Sequence, residues 1–191
     1  MLSEAILFLF DMLLQPFAAI LLLRFHLQWL HAPLRNPVGE FVMVLTDFVV
    51  LRTRRYIPSF RGLDTTSLLL ALLAEGLYLA GLVWVQDVPL NDFPFPGMLF
   101  LTVVKLFKIS LYLLLVAVFA QVILSWVNPY TSIAPLLTAV TQRFLQPLRR
   151  ILPLVGRIDL SALLLFIICQ LILIVPVGML EVLASRLISH G

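Results

Sequence analysis

Long apolar runs alternate along the chain with shorter stretches in which polar positions recur at helical spacing. Four runs, at about Ala5–Trp29, Thr65–Val85, Phe107–Val127 and Leu160–Leu187, are long enough to cross a hydrocarbon core of about 30 Å as helices. The last contains Pro176, which predicts a kink or an interfacial end. Two intervening stretches carry a one-sided pattern. In the later one, Leu136, Leu137, Val140, Phe144, Leu148 and Ile151 share a helical face, with Gln142, Arg143, Arg149 and Arg150 largely elsewhere. In the earlier one, Val38, Phe41, Val42, Leu45, Phe48 and Val49 do the same ahead of Arg52, Arg54 and Arg55. Both read as basic amphipathic helices, lying at the membrane interface or re-entering beneath the bundle.

Setting Trp29 against Trp126 exposes an internal repeat. Arg54-Arg55 then matches Arg149-Arg150, Pro58 matches Pro153, and Asp64 matches Asp159, the offset falling from 97 to 95 residues. The expected organisation is an all-α membrane protein with a first repeat over 1–87, an outer proline-rich linker over 88–97 and a second repeat over 98–191. Each repeat holds two spans and an amphipathic helix, so both copies insert the same way up. That makes them parallel helical-hairpin repeats about an axis along the membrane normal.

Composition narrows the class. The chain is 62% hydrophobic and 12% charged, with a mean hydropathy of +1.09; soluble domains carry about 25% charged residues. A net charge of +3 does not point to nucleic acid here, because the arginines cluster between apolar runs. Residues 31–63 hold Arg35, Arg52, Arg54, Arg55 and Arg61, and residues 128–158 hold Arg143, Arg149, Arg150 and Arg157. The middle loop, 86–97, has Asp87 and Asp92 without a cation. The positive-inside rule therefore puts both arginine loops in the cytoplasm and both termini outside, a bias that survives Lys105 and Lys108 on the outer side. Trp29, Trp84 and Trp126 fall at span ends as interface anchors. The first charge is Glu4 and no small-residue cleavage site follows, so the first run is expected to stay as a span.

The combined pattern resembles the YggT family of small membrane proteins. It consists of arginine or glutamine before a span ending in Trp, an Asn-Pro, an amphipathic stretch, PLRR-x-hydrophobic-P, Gly, and I-D-x-S opening the next span. The second copy supplies Pro147-Leu148-Arg149-Arg150, Pro153, Gly156, Ile158-Asp159 and Ser161; the first supplies Asn36-Pro37, Arg54-Arg55, Pro58, Leu63-Asp64 and Thr66. The first copy departs from it at Arg52-Thr53 and Arg61-Gly62, and the second lacks a clear Asn-Pro at the matching position. The resemblance implies a multi-pass protein of the bacterial cytoplasmic (inner) membrane or of plastid membranes; the lack of a transit-peptide pattern favours bacteria. It also implies links to osmotic and ion homeostasis, to division or nucleoid placement, and to cytochrome assembly. It transfers no catalytic residue.

Single residues admit paired readings. Arg54, Arg55, Arg149 and Arg150, with Arg143 and Arg157, can contact anionic lipid or an acidic partner, or merely set topology; the fixed proline after each pair favours contact. Asp64 and Asp159 are placed to cap the second span of each repeat. Glu75 lies 11 residues after Asp64, about 16 Å along a helix and near the midplane. Its counterpart is Gln170, so the two form either an intramembrane polar pair or a proton or cation site. Asp11 and Lys108, each 18 residues before its tryptophan, sit near the outer interface and can pair. Arg24, five residues from Trp29, can snorkel to the cytoplasmic headgroups.

No catalytic motif, metal set or cofactor site is expected. Cys169 is alone, His26 and His31 are five apart rather than on one face, and His190 is nearly terminal. Two function classes remain. One is a non-enzymatic organiser or assembly factor binding lipid and membrane-protein partners through its arginine motifs. The other is cation or proton transport by a homo-oligomer around Glu75.

Overall fold

The computed structural model describes residues 2–57, 64–85, 94–151 and 159–189, and the regular structure in them is helical. In chain order it comprises α1 (Leu2–Trp29), α2 (Pro37–Arg54), α3 (Thr65–Val85), α4 (Phe95–Val127), α5 (Ala134–Ile151), α6 (Leu160–Ile172) and α7 (Gly178–Ser189). A π-helical turn, Leu173–Val177, joins the last two into one rod. The helices α1, α3, α4 and the α6–α7 rod are each long and apolar enough to cross a membrane. Large apolar side chains such as Phe8, Leu77, Val116 and Ile174 point outward, a surface suited to hydrocarbon and a liability in water.

Local chemistry explains the boundaries. Asn36 accepts the N–H of Gly39 at 3.0 Å and caps α2, with Pro37 in the first turn, where its missing N–H costs nothing. Gly39 is required there: a Cβ would stand 2.3 Å from the carbonyl oxygen of Leu34. The end of α1 closes with Ala32 N–H on the Leu27 carbonyl and His31 N–H on that of Gln28. His31 takes the left-handed conformation (φ 52°) usual at this position in such caps. Pro176 lies in the π turn, where its missing donor and ring shift the hydrogen-bond ladder locally.

Two expectations shift. α4 begins at Phe95 rather than Phe107, because Pro96 is tolerated in a first turn and the following residues are apolar. Its 33 residues reach about 50 Å, well beyond a core of about 30 Å. The end of the expected 88–97 linker is therefore helical, and residues 88–93 with Asp87 lie outside the described residues. The amphipathic reading fits α5, which buries Leu136, Leu137 and Val140 and leaves Gln142, Arg143, Arg149 and Arg150 exposed, although Ile151 is exposed too. It fails for α2. That helix turns Val42, Thr46 and Val50 inward, while Phe41, Leu45 and Phe48 of the expected apolar face are exposed. α2 is apolar nearly all round, so periodicity does not select its inner face; polar bonds do.

Helix packing collects the arginine segments at one end. α1 lies along α3, and α4 along α7 and the first half of that rod. Leu23, Leu27 and Leu30 of α1 meet Ala117, Ala120 and Leu124 of α4, while Phe17 and Leu21 meet Leu106 and Ile109. α1 and α4 therefore run side by side in the same direction. Their C-terminal ends, α2, α5 and the starts of α3 and α6 form the arginine end.

Candidate functional site

Arg24 is the largest fully buried side chain, at 1% exposure. From α1 its Nη1 donates to Thr46 Oγ1 at 2.6 Å and to Asp47 Oδ1 at 2.7 Å on α2. Its Nε donates to Asp64 Oδ2 at 3.3 Å, at the start of α3. One guanidinium thus ties three helices together. Its rigid fork of donors suits this better than a lysine ammonium would. Asp64 also accepts the Ser67 hydroxyl at 2.7 Å and the Ser67 N–H at 3.4 Å, and pairs with Arg54 Nη2 at 3.2 Å. The Thr46 hydroxyl in turn donates to the Val42 carbonyl. The charges of Arg24 and Arg54 balance those of Asp47 and Asp64, which a buried cluster needs. Snorkelling is the reading this overturns: Arg24 has carboxylates within reach that repay its desolvation, so it turns inward.

In the second repeat a neutral bond replaces the Arg24 contacts, and the aspartate–arginine pair stays. Gln121 stands where Arg24 does relative to its tryptophan, and its Oε1 accepts from the Thr141 hydroxyl, the counterpart of Thr46. Asp159 accepts the N–H of Ser161 at 3.1 Å, bonds its hydroxyl, and takes Arg149 Nε at 3.1 Å and Nη2 at 2.6 Å. Asp47 is replaced by Gln142, which is exposed. Each arginine pair divides in the same way. Arg54 and Arg149 bond the aspartate that opens the next helix, Arg149 staying exposed as it does so; Arg55 and Arg150 are exposed without such a bond among the described residues. Arg143 is also exposed, its guanidinium 5.0 Å from the centre of the half-buried Trp29 ring. Trp84 and Trp126 are exposed. Arg61, Arg157, Pro58, Pro153 and His190 lie outside the described residues.

Both capping aspartates are acidified. Burial alone would raise Asp64, but the bonds from Ser67 and Arg54 outweigh it and hold the carboxyl below the usual range. Burial pulls Asp159 upward too, and Ser161 and Arg149 outweigh it. A carboxylate whose folded pKa is depressed contributes stability above its unfolded value, about 3.9, and that contribution disappears as pH falls through the folded value. The unfolding midpoint in detergent should therefore fall steeply below about pH 4, and the Asp159→Asn variant should show a shallower fall. An equal slope in the variant would remove Asp159 from the acid response.

Deeper in the helices, the expected Glu75–Gln170 pair does not form. Glu75 Oε1 lies 3.6 Å from Lys105 Nζ, and Lys105 also sits 5.0 Å over the Tyr78 ring. Glu75 is 1% exposed, and its Oε2 has no partner. α3 packs against α1 and α4, which brings it the lysine on the early part of α4. Asp11 and Gln15 lie beside the Tyr78 hydroxyl. Lys108 does not join Asp11; it donates to both carboxylate oxygens of Glu181 at 2.8 and 3.0 Å, linking α4 to α7. Among the described residues no cluster of three or more His, Cys, Asp or Glu could hold a metal ion. The reading of single residues missed Thr46, Asp47, Gln121, Thr141 and Glu181. The repeat offset held the signal for two pairs, since it aligns Arg24 with Gln121 and Thr46 with Thr141.

The sequence profile of the CCB3/YggT family matches two segments, residues 3–85 and 100–180. An uncharacterised protein of Pseudomonas aeruginosa is 31% identical over 173 residues, covering 90% of this chain and 87% of its own length. The uncharacterised protein YggT of Escherichia coli K12 is 29% identical over 179 residues, covering 93% and 90%. An uncharacterised protein of Vibrio alginolyticus is 32% identical over 161 residues, covering 84% and 86%. No solved structure matches significantly.

Proposed function

The chain belongs to the CCB3/YggT family, and from that premise we propose that it is a non-enzymatic membrane organiser or assembly factor. Its arginine end is the cytoplasmic face, its termini lie outside, and two parallel repeats hold α2 and α5 at the inner surface of a bacterial cytoplasmic membrane. One observation carries the reading. In both repeats the first arginine of the pair binds the aspartate of the next helix, and the second is left exposed. Setting topology needs charge but no such division. The aspartate-bound arginine, still exposed in the second repeat, fixes the end of the short helix, so the outward second one is presented twice in a defined place to anionic lipid or an acidic partner, each worth about 1 kcal/mol at a charged surface.

Replacing Arg55 and Arg150 by glutamine tests this. Stability should change by no more than about 0.5 kcal/mol, while co-purified anionic phospholipid and cross-linked partners in native membranes both decrease. Unchanged lipid and partners in the double variant would sink the proposal.

A second reading, cation or proton transport by an oligomer, draws on the fully buried Glu75 with its unpartnered Oε2 in a span. Flux through reconstituted protein at two proton gradients, lost in Glu75→Gln, would establish it. No flux from protein shown to be folded leaves the organiser reading in front.

A further inference from the structure

α1, α4 and α5 enclose an apolar cavity of about 520 Å³, within the roughly 300–1,000 Å³ of small-ligand sites. Its walls include Leu27, Leu114, Ala117, Ala120 and Val140. Of its polar side chains, His26 bonds the Leu22 carbonyl through Nδ1 and Ser110 donates its hydroxyl to the Leu106 carbonyl; Trp29 adds an indole. An apolar void of this kind excludes water and takes apolar ligands. The exposed Phe107 and Val116 belong to its rim, so it opens sideways, where a membrane protein meets lipid.

Lining, opening and length point to the occupant. The lining on α4 runs from Phe107 to Ala120, about 20 Å at 1.5 Å per residue, which exceeds half of a hydrocarbon core of about 30 Å. Apolar walls of that length, open toward the hydrocarbon, suit a single acyl chain. At the arginine end the cavity reaches Trp29, with the Arg143 guanidinium 5.0 Å from its ring centre. Among the described residues no carboxylate pairs with Arg143, which leaves its charge for a phosphate.

We propose that this cavity holds one acyl chain of an anionic phospholipid, with the phosphate seated on Arg143. The proposal deepens the membrane-surface reading above and rests on it. The test uses the full chain with Trp84→Phe and Trp126→Phe, so that Trp29 is the sole emitter. It is reconstituted in phosphatidylcholine vesicles containing either brominated-chain phosphatidylglycerol or brominated-chain phosphatidylcholine at equal content. Trp29 should be quenched several-fold more by the brominated phosphatidylglycerol. Ala120→Phe, which fills the cavity, should abolish that excess. Arg143→Gln, a surface change that leaves the fold alone, should abolish the headgroup preference even where Ala120→Phe fails to fold. Equal quenching by both lipids overturns the proposal, as does an excess that survives Arg143→Gln, or a Trp29 shielded from both lipids by self-association. The Arg55→Gln/Arg150→Gln protein separates the two readings: if only the outward arginines fail to bind, the Trp29 excess persists.

Discussion

Arg24→Gln lowers folding stability by about 3–5 kcal/mol, the usual loss when one partner of a buried ion pair is removed. That is a large part of a total of about 5–15 kcal/mol. The loss comes less from the missing bonds than from what stays behind. Asp47 keeps its charge without the guanidinium 2.7 Å away, and Asp64, itself 1% exposed, keeps only Arg54 as a cation. The second repeat shows how the cost is avoided: glutamine replaces both Arg24 and Asp47, and a Thr-to-Gln bond does the joining. Arg24→Gln/Asp47→Gln should therefore recover most of the loss, leaving Asp64 with Arg54 as Asp159 is left with Arg149. Unfolding midpoints in detergent for wild type, both single variants and the double variant complete the cycle. Additive losses would mean that Arg24 and Asp47 are not coupled; a single variant within about 0.5 kcal/mol of wild type would remove the network from the fold's stability.

The spans are legible in the sequence because hydrocarbon thickness sets a minimum length that each apolar run exceeds. The extra turns of α4 are not, since Phe93-Pro94-Phe95-Pro96-Gly97 reads as a proline-rich loop until the first turn proves able to absorb Pro96. α5 is legible because its apolar and charged positions separate cleanly; α2 is not, because its apolar positions run all round and its inner face is chosen by Thr46 and Asp47. Arg24 misleads for a related reason. Five residues from Trp29 it can reach the interface, and nothing in the local pattern announces acceptors 22, 23 and 40 residues on. The repeat alignment holds the missing information, because a position occupied by arginine in one copy and glutamine in the other calls for a hydrogen-bond donor or acceptor, not a snorkelling cation. The same alignment misplaces the deep pair. Equal depth of Glu75 and Gln170 says nothing about which helices touch, and α3 packs on α1 and α4.

For the deep pair the two partners are expected to behave unequally. Lys105→Met removes the cation 3.6 Å from Glu75 and leaves a carboxyl at 1% exposure, already lacking a partner for Oε2. An unpaired acid inside the membrane costs about 2.5–3.5 kcal/mol, so this variant should lose about 3 kcal/mol. Glu75→Gln should lose less than about 1 kcal/mol, because the amide is nearly isosteric and Lys105, 26% exposed, keeps the Tyr78 ring and can reach outward for water. The double variant should then sit close to Glu75→Gln, with the lysine's removal made nearly harmless once the acid is gone. That asymmetry separates the pair from an ordinary surface bridge, for which both single losses stay within about 1 kcal/mol. It also bears on transport. If Lys105→Met proves harmless, the site tolerates its acid without a counter-ion, as an exchanging cation or proton site must. If it is destabilising and Glu75→Gln is not, the lysine serves to keep the carboxylate paired, and Glu75 acts as a joint between α3 and α4.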